Sequence, residues 1–499
     1  MNLKTSQRAD KKILLTTINA KWIHPSLALR LLKANLGPLE ETCEIIEFAL
    51  RQPLAEKLQP FFDSMDADSM DAAGTGVRPR ILGISVSIWN HLATIELLEA
   101  LEKAWAADGR TKPVVALGGP EVSHLPPDAE IFKHADYVIR GEGETAFRTL
   151  CDNILQKSAQ SPERIITTEP NNLNIIKSAY HLYTDEDLAK KLIYVESSRG
   201  CPFNCEFCLS AVKDGQSNVV REFPLEPFLA EMDDLVRRGA KTFKFLDRTF
   251  NLNIKRAIQI MEFFLKKIEE RKGGIVVHFE MVPFLFPPEL REILARFPPE
   301  TLRLEIGIQT LNPEAAARIK RPSNAHSTNF EDELETLRFL REKTNAIIHA
   351  DLIAGLPGEN LVSFGNGFDR LCTALFGGQD SEKPEIHRTE IQLGILKLLP
   401  GAPIARHNET FVMRYNSFPP HEVMETSAIN AADMQRVKNF ARFWELIVNR
   451  GLTDIGRIAQ SADTGVFKKF MDLSDSLFAR FGRNWGIDKN ELKEAIKDF

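Results

Sequence analysis

The stretch that decides the fold reads IYVESSRGCPFNCEFCLS, residues 193–210. A short β-branched run, Ile193–Val195, breaks into a polar turn with one glycine and then into Cys201, Cys205 and Cys208, spaced C-x3-C-x2-C. A strand that empties into such a loop opens a strand–loop–helix unit, and cysteines placed so closely point to a metal group rather than to packing. Three thiolates on one short loop can each take one iron of a cubic [4Fe–4S] cluster, which leaves the fourth iron open to a small molecule. A structural zinc site is the rival reading. It needs four closed ligands, and the loop has neither a fourth cysteine nor a histidine nearby, although a distant residue such as Cys372 can complete such a site. Chance spacing is a third alternative. Cys43, Cys151 and Cys372 stand apart along the chain, so a reducing compartment with a metal site fits this cysteine usage better than disulfides do.

Downstream of the loop the alternation repeats. Strand-like runs recur in KTFKFLD (241–247), GIVVHFEMVP (274–283), TLRLEIGIQT (301–310), AIIHADLIAGLPG (346–358) and EIQLGILKLLPG (390–401), with helical stretches between them. Together with IYVESSRG they predict a partial (β/α)6, TIM-like barrel whose chemistry sits on loops and strand ends at its C-terminal face. A period of two puts Glu305, Gly307 and Gln309 on one face of their strand. Asp247 stands between a strand and a helix, where an Asp also serves as a cap. Gly355 and Gly358 suit a close backbone approach or positive φ, as a plain strand-to-helix turn also requires. His278 and His349 fall inside strands, where a histidine is more often a hydrogen-bonded structural group than a catalyst.

Upstream, from Lys11 to about Leu155, the runs KKILLTTI, CEIIEF, ILGISVSI, VVALGG and YVIRGEGE alternate with helical stretches, among them Ser26 to Leu36 and His91 to Ala107. This predicts an α/β domain with a flavodoxin-like open parallel sheet and a ligand outside the carboxyl ends of its strands. An acidic insert at 63–80 reads as a mobile loop. Residues 157–190 are polar, carry proline at two places and read as a linker. After about Pro403 the strand signal fades, and 403–499 is expected to be mostly α-helical, with the aromatics of MQRVKNFARFWELIVNR in a core. The expected organisation is thus 1–156, a linker 157–190, a barrel 191–402 and a helical C-terminal region 403–499.

The whole chain of 499 residues is 43% apolar and 26% charged, with a net charge of −6. That length suits roughly three domains with cores of their own and excludes a small disulfide-stapled scaffold. The net charge gives no broad attraction to nucleic acid or anionic membrane, and no run approaches the about 18 apolar residues of a membrane span. The N-terminal apolar run is too short for a signal peptide, so a cytoplasmic protein is expected.

The cysteine loop and the strands after it resemble the radical SAM superfamily over roughly residues 190–400. That family's CxxxCxΦC, with an aromatic Φ, is met here by Cys201, Cys205, Phe207 and Cys208. The resemblance implies a [4Fe–4S] cluster whose open iron binds the amino and carboxylate groups of S-adenosylmethionine. One-electron cleavage then yields a 5′-deoxyadenosyl radical that abstracts a hydrogen atom. It implies further that Phe207 packs near the adenine, that Asp247 meets the methionine ammonium, and that Glu305 and Gln309 meet the ribose or methionine part. ADLIAGLPGEN resembles the family's GxIxGxxE, an adenine-contacting motif, through Ile353, Gly355 and Glu359, with Asp351 in place of the first glycine.

Residues 11–156 resemble the cobalamin-binding domain fused before such barrels, carried by ILGISVS (81–87), LGGPEVS (117–123) and VIRGEGE (138–144). The resemblance implies that Ser85, Ser87, Gly118 and Gly119 admit the corrinoid's nucleotide tail, with Gly141 and Glu142 in the adjoining turn. Cobalamin domains that ligate cobalt carry D-x-H-x-x-G, whereas this chain reads NAKWIHPSLALR (19–30). His24 lacks both partners, which implies cobalamin without a histidine lower ligand. His24 is expected instead to order its loop, with Ser26 a helix cap and Trp22 packing on the corrin or stapling the loop.

The two resemblances together imply an enzyme that methylates an unactivated carbon of a small-molecule or peptide substrate, fed by a one-electron reductant such as flavodoxin or ferredoxin. Relatives that rearrange or oxidatively cyclise their substrates supply the alternative within the class. A non-catalytic corrinoid and iron–sulfur sensor or carrier is the alternative outside it. Methylthiotransferases carry a second three-cysteine cluster in the N-terminal domain, which offers only Cys43 and Cys151 here.

Overall fold

The computed structural model describes residues 12–63, 79–107, 112–156, 162–212, 219–322, 330–377, 389–453 and 465–497. The chain forms two compact units. The first comprises Met1–Val195, Asp214–Ser217 and Arg221–Lys241, and the second Glu196–Lys213, Asn218–Val220 and Thr242–Phe499.

In the first unit β1 (Ile13–Asn19), β2 (Cys43–Ala49), β3 (Ile81–Ser85), β4 (Val114–Gly118), β5 (Tyr137–Arg140) and β6 (Ile165–Thr167) make one sheet, in the order β2-β1-β3-β4-β5-β6. Every pairing is parallel. β1 is paired on both edges, with Ile13 opposite Cys43 and Ile81, and helices cover both its faces, which is why ILLTTI is buried throughout. Its odd positions Ile13 and Leu15 join Leu29, Phe147 and Leu150 of two helices. Its even position Leu14 joins Leu97, Leu98, Leu101 and Trp105 of the His91–Ala107 helix. Ser26 caps Leu27–Ala34 as expected, its side chain accepting from the Leu29 N–H at 3.2 Å. The order reverses between β1 and β3, the position at which open α/β sheets bind ligands.

The stretch read as a linker is in part a structural member. Ile165 and Ile166 are apolar enough to extend the sheet as β6 beside Val138 and Ile139, and Asp185–Lys190 is a helix with a Thr184–Asp187 capping box. Arg30 donates to Asp187 at 2.8 Å and to Glu47 at 2.8 Å, tying that helix to the sheet. Of the insert expected at 63–80, residues 64–78 lie outside the described residues.

All six strands expected for the barrel form. β7 (Ile193–Val195) ends the first stretch of the first unit. In the second unit β8 (Thr242–Phe245), β9 (Val276–Met281), β10 (Leu302–Gln309), β11 (Ile347–Ala354) and β12 (Glu390–Ile395) pair in parallel in that order. On β8–β10 the alternation is sharp. Phe243, Phe245, Phe279, Leu302 and Leu304 are buried, whereas Lys244, His278, Glu280, Glu305 and Gly307 take the other face. Register then brings Lys244 opposite His278, Glu280 opposite Glu305, Glu305 opposite His349 and Gly307 opposite Asp351. One face of the sheet is thus unusually rich in ionisable groups.

The C-terminal stretch belongs to this second unit. Helices Ala431–Trp444 and Val466–Phe481 pack on Leu361–Phe376 through Phe368, Phe440, Trp444, Phe467 and Phe470, so the aromatics at helical spacing are core. Two short antiparallel strands, Arg414–Tyr415 and Val423–Glu425, interrupt the expected helical run.

Candidate active site

The cysteine loop is set by glycine and by a buried carboxylate. Gly200 has φ +103°, and a Cβ there would stand 2.7 Å from the Val219 carbonyl oxygen, so the turn into Cys201 excludes a side chain. Asp247 accepts from Ser197 N at 2.9 Å, Ser197 Oγ at 2.7 Å and Ser198 Oγ at 2.6 Å. It is fully buried against these serines and does not line the cavity the cysteines face. The carboxylate accepts from three donors that fix the segment leading into the loop.

Cys201, Cys205, Phe207 and Cys208 line one cavity with Arg248, Thr249, Glu280, Glu305, Gln309, Arg321 and Asp351. Cys201 Sγ lies 3.7 Å from Thr249 Oγ1, and Arg321 Nη1 donates to Cys205 Sγ at 3.7 Å. Burial pushes the Cys205 thiol up, while the Arg321 charge pulls against it. Cys208 N donates to the Cys205 carbonyl at 3.0 Å, closing the last turn of the loop. Among the described residues no three His, Cys, Asp or Glu side chains converge as they would on a single ion. A cubic cluster needs no such convergence, because each thiolate takes a different iron. Three thiols facing one cavity beside two guanidinium groups fit a cluster and an anionic small molecule. Cys372, buried in the helix Leu361–Phe376, does not line the cavity and completes no zinc site there.

The strand-end acids differ sharply in charge state. Burial alone would raise Glu305, but the His278 hydrogen bond and the Lys244 charge overcome it and hold its carboxyl at about 2. Lys244 Nζ and His278 Nε2 each stand 3.2 Å from Glu305 Oε2. Burial, then the Glu305 charge, push neighbouring Glu280 up to about 7, and the same two causes raise Asp351 well above the usual carboxylate range. Gln309 stands on the cavity wall in a left-handed conformation, φ 70°, at a register shift between β10 and β11. Gly307 makes room for it, since a Cβ there would meet Gln309 Nε2 at 2.5 Å.

The two residues expected near the adenine, Ile353 and Gly355, lie against apolar neighbours. Ile353 packs in an apolar cluster with Leu396, Met413 and Val423. A Cβ on Gly355, φ +87°, would meet Val423 Cγ1 at 2.5 Å and Met434 Cε at 3.0 Å. Neither lines the cavity: the register turns them toward the C-terminal elements. Glu359 is likewise buried, accepting from Thr310 Oγ1 at 2.7 Å, and burial raises it to about 7. Arg248, Glu280 and Arg321, by contrast, line the cavity without having been read from the sequence. Glu280 was recoverable from period two on GIVVHFEMVP, whereas the two arginines leave no such signal.

Glu206, between Cys205 and Phe207, is buried and ion-paired with Lys320 Nζ at 3.0 Å, Arg406 Nε at 2.8 Å and His407 Nε2 at 2.9 Å. Burial would raise its carboxyl, and these partners hold it below the ordinary range.

In the first unit glycine turns lie at the carboxyl ends of β4 and β5, and a serine-bearing turn at that of β3. Gly119 has φ +101°, and a Cβ there would stand 2.6 Å from Val86 O. Ser123 Oγ donates to Gly119 O at 2.9 Å and accepts from Gly141 N at 3.3 Å, joining two of the turns. Ser85 O accepts from Thr17 Oγ1 at 2.8 Å, Ser87 N donates to Asn90 Oδ1 at 2.8 Å, and Gly118 is the last residue of β4. Glu142 pairs with Arg221 and accepts from Asn171 N at 2.9 Å, a structural engagement. His24 Nδ1 meets Tyr194 OH at 2.8 Å, in keeping with a loop-ordering role. Beyond β1 and β3, Trp22 and Trp89 are about half exposed, which leaves apolar surface beside the small-residue turns. Tight turns without side chains next to apolar surface fit a flat macrocycle with a tail.

Fold and site thus define a protein with a ligand-binding open sheet followed by a barrel with a three-cysteine loop. The B12 binding domain model matches residues 14–151, and the Radical SAM superfamily model matches residues 195–370. The chain belongs to the radical SAM enzymes that carry an N-terminal cobalamin-binding domain, and its cofactors are a [4Fe–4S] cluster, S-adenosylmethionine and cobalamin. It is 35% identical over 165 residues to an uncharacterized methyltransferase of Pyrococcus horikoshii, covering 29% of this chain and 36% of that one. It is 24% identical over 261 residues to the bacteriochlorophyllide d C-12(1)-methyltransferase of Chlorobaculum tepidum, covering 51% of this chain and 54% of the relative. The chain therefore spans only about a third to a half of these relatives' length. The solved structure of the cobalamin-dependent S-adenosylmethionine radical enzyme OxsB with aqua-cobalamin shares the fold at TM-score 0.61 and 16% identity, over 98% of this chain and 75% of that one. Among the described residues no helix is long and apolar enough to cross a membrane.

Proposed function

We propose that this chain is a methyltransferase acting on an unactivated carbon of a small-molecule or peptide substrate, with Cys201, Cys205 and Cys208 as the cluster ligands. The observation that carries the reading is that all three thiols of one short loop face the cavity lined by Arg248, Arg321 and the acids of β9–β11. When bound, the cluster with S-adenosylmethionine supplies a hydrogen-abstracting radical, and cobalamin supplies the methyl donor. The chain's own residues bind and orient. Phe207 offers a ring face to the adenine. The Glu305 carboxylate, kept ionised by Lys244 and His278, and the Gln309 amide offer acceptors to the ribose or methionine part. Arg248 and Arg321 offer donors to a carboxylate. Glu280 and Asp351, both raised by burial and by the Glu305 charge, carry less anionic charge on the wall than ordinary carboxylates. Ser85, Ser87, Gly118, Gly119 and Gly141 are the small residues that would admit the corrinoid tail, and Glu142 holds its turn through Arg221. The bacteriochlorophyllide relative is named for methylation at a carbon position, which supports a carbon acceptor. A flavodoxin or ferredoxin is the expected electron source.

The test is turnover of the anaerobically reconstituted chain with a cell extract and methyl-labelled S-adenosylmethionine. Label should enter a product, with 5′-deoxyadenosine and S-adenosylhomocysteine formed in about equal amounts and the latter lost without cobalamin. Substrate consumed with 5′-deoxyadenosine alone, and no label in product, overturns methyl transfer in favour of rearrangement or cyclisation. No 5′-deoxyadenosine under any condition favours a sensor or carrier.

A further inference from the structure

We propose that Glu206 is a positioning residue for the cysteine loop, its buried carboxylate clamping Cys205 and Phe207–Cys208 between two distant segments of the second unit. The inference rests on the cluster reading above. Glu206 sits between the second and third cysteines, yet its side chain is 1% exposed. The first segment is Ile319–Lys320–Arg321. It accepts the Glu206 N–H at the Ile319 carbonyl, 2.9 Å, and pairs Lys320 with the carboxylate at 3.0 Å. It also sends Arg321 to Cys205 Sγ at 3.7 Å. The second segment is Ile404–His407. Ile404 N donates to the Glu206 carbonyl at 2.9 Å, and Arg406 and His407 reach the carboxylate at 2.8 and 2.9 Å.

Backbone and side chain of one loop residue are thus held from both sides. Burying a carboxylate is costly, so a position that only filled space would be better served by an apolar group of similar size. What these contacts add is direction: a carboxylate met by Lys320, Arg406 and the His407 ring has one orientation that serves them all, and the flanking cysteines inherit it. A cubic cluster requires its thiolates at fixed separations, which a free loop does not hold. The segment after β12 accordingly completes the cluster loop rather than merely following the barrel.

The experiment uses the full chain, anaerobically reconstituted, as Glu206→Gln and as the double variant Lys320→Gln/Arg406→Gln. Iron release to an external chelator is timed, and the paramagnetic spectrum of the reduced cluster is recorded with and without S-adenosylmethionine. Both variants should take up iron and sulfide, release iron roughly tenfold faster than the parent, as loss of a charge-assisted hydrogen bond predicts, and show a weakened spectral response to S-adenosylmethionine. Glu206→Gln changes a buried group and can fail to fold. The double variant then carries the test alone, because the Lys320 and Arg406 side chains are 56% and 54% exposed. A double variant with the parent's release rate and spectral response overturns the proposal. A Cys201→Ala chain that keeps its full cluster overturns the cysteine reading instead, so the two failures are told apart.

Discussion

At the scale of single residues, the acids on one wall of the cavity act as a set. Glu280 is raised from its ordinary 4.5 to about 7 by burial and by the Glu305 charge. Its folded form therefore keeps a proton that the unfolded chain has given up. Stability from this group is complete below about pH 4.5 and is lost as pH climbs through about 7. Glu280→Gln removes that loss. Denaturant titrations of the variant and the parent should agree near pH 4.5 and diverge above it, with the variant the more stable at pH 8; parallel profiles across that range would contradict the assignment. The residue scale is also where sequence reading was both strongest and weakest. The cysteine loop was legible because one chemistry demands its spacing. The partners of Asp247 were not legible because a sequence fixes where a carboxylate stands along a strand end but not which neighbours claim it, and Ser197 and Ser198 lie about 50 residues away. Arg248 and Arg321 were missed for the same reason: solvated and site-lining arginines look alike in a sequence.

At the scale of elements, period-two alternation made β8–β10 readable, since one face must be apolar and the other is free to carry charge. What it left open was the fate of a strand's last turn. Gly355 follows β11, and its missing side chain gives Val423 and Met434 their place. Gly355→Ala forces a side chain into both and strains a positive φ, so it should destabilise the second unit by about 1–3 kcal/mol in denaturant unfolding. It should leave S-adenosylmethionine affinity of the folded enzyme near the parent's. A large loss of that affinity at unchanged stability would restore the adenine contact. β6 is the counterpart in the first unit: three residues in a polar, proline-flanked stretch carry too little pattern to announce a strand, and only the free edge of β5 gives them a partner.

At the scale of the whole molecule, the chain divides into two compact units, and the strand–helix alternation repeats on either side of the polar stretch 157–190. Cofactor occupancy should separate accordingly. Cys201→Ala, Cys205→Ala and Cys208→Ala should each lose iron, sulfide and S-adenosylmethionine cleavage while corrinoid absorption stays at the parent's level. Gly119→Ala should do the reverse, because its Cβ would strike backbone atoms of Val86. Correlated loss of both cofactors in either set would mean that the sites do not load independently.

The placing of the other cysteines bears on how such a protein survives air. Cys43, Cys151 and Cys372 are buried, and burial raises the thiols of Cys151 and Cys372 far from ionisation, whereas Cys201 and Cys208 are partly exposed. Only the thiolate attacks oxidants and alkylating agents. A chain stripped of its iron should therefore take up iodoacetamide at the loop and not in the cores, as peptide mass spectrometry can read. Thiol oxidation should then fall mainly on the loop, and where it stops at a disulfide or sulfenate a reductant with iron and sulfide should return an aerobically inactivated chain to its working state without refolding it.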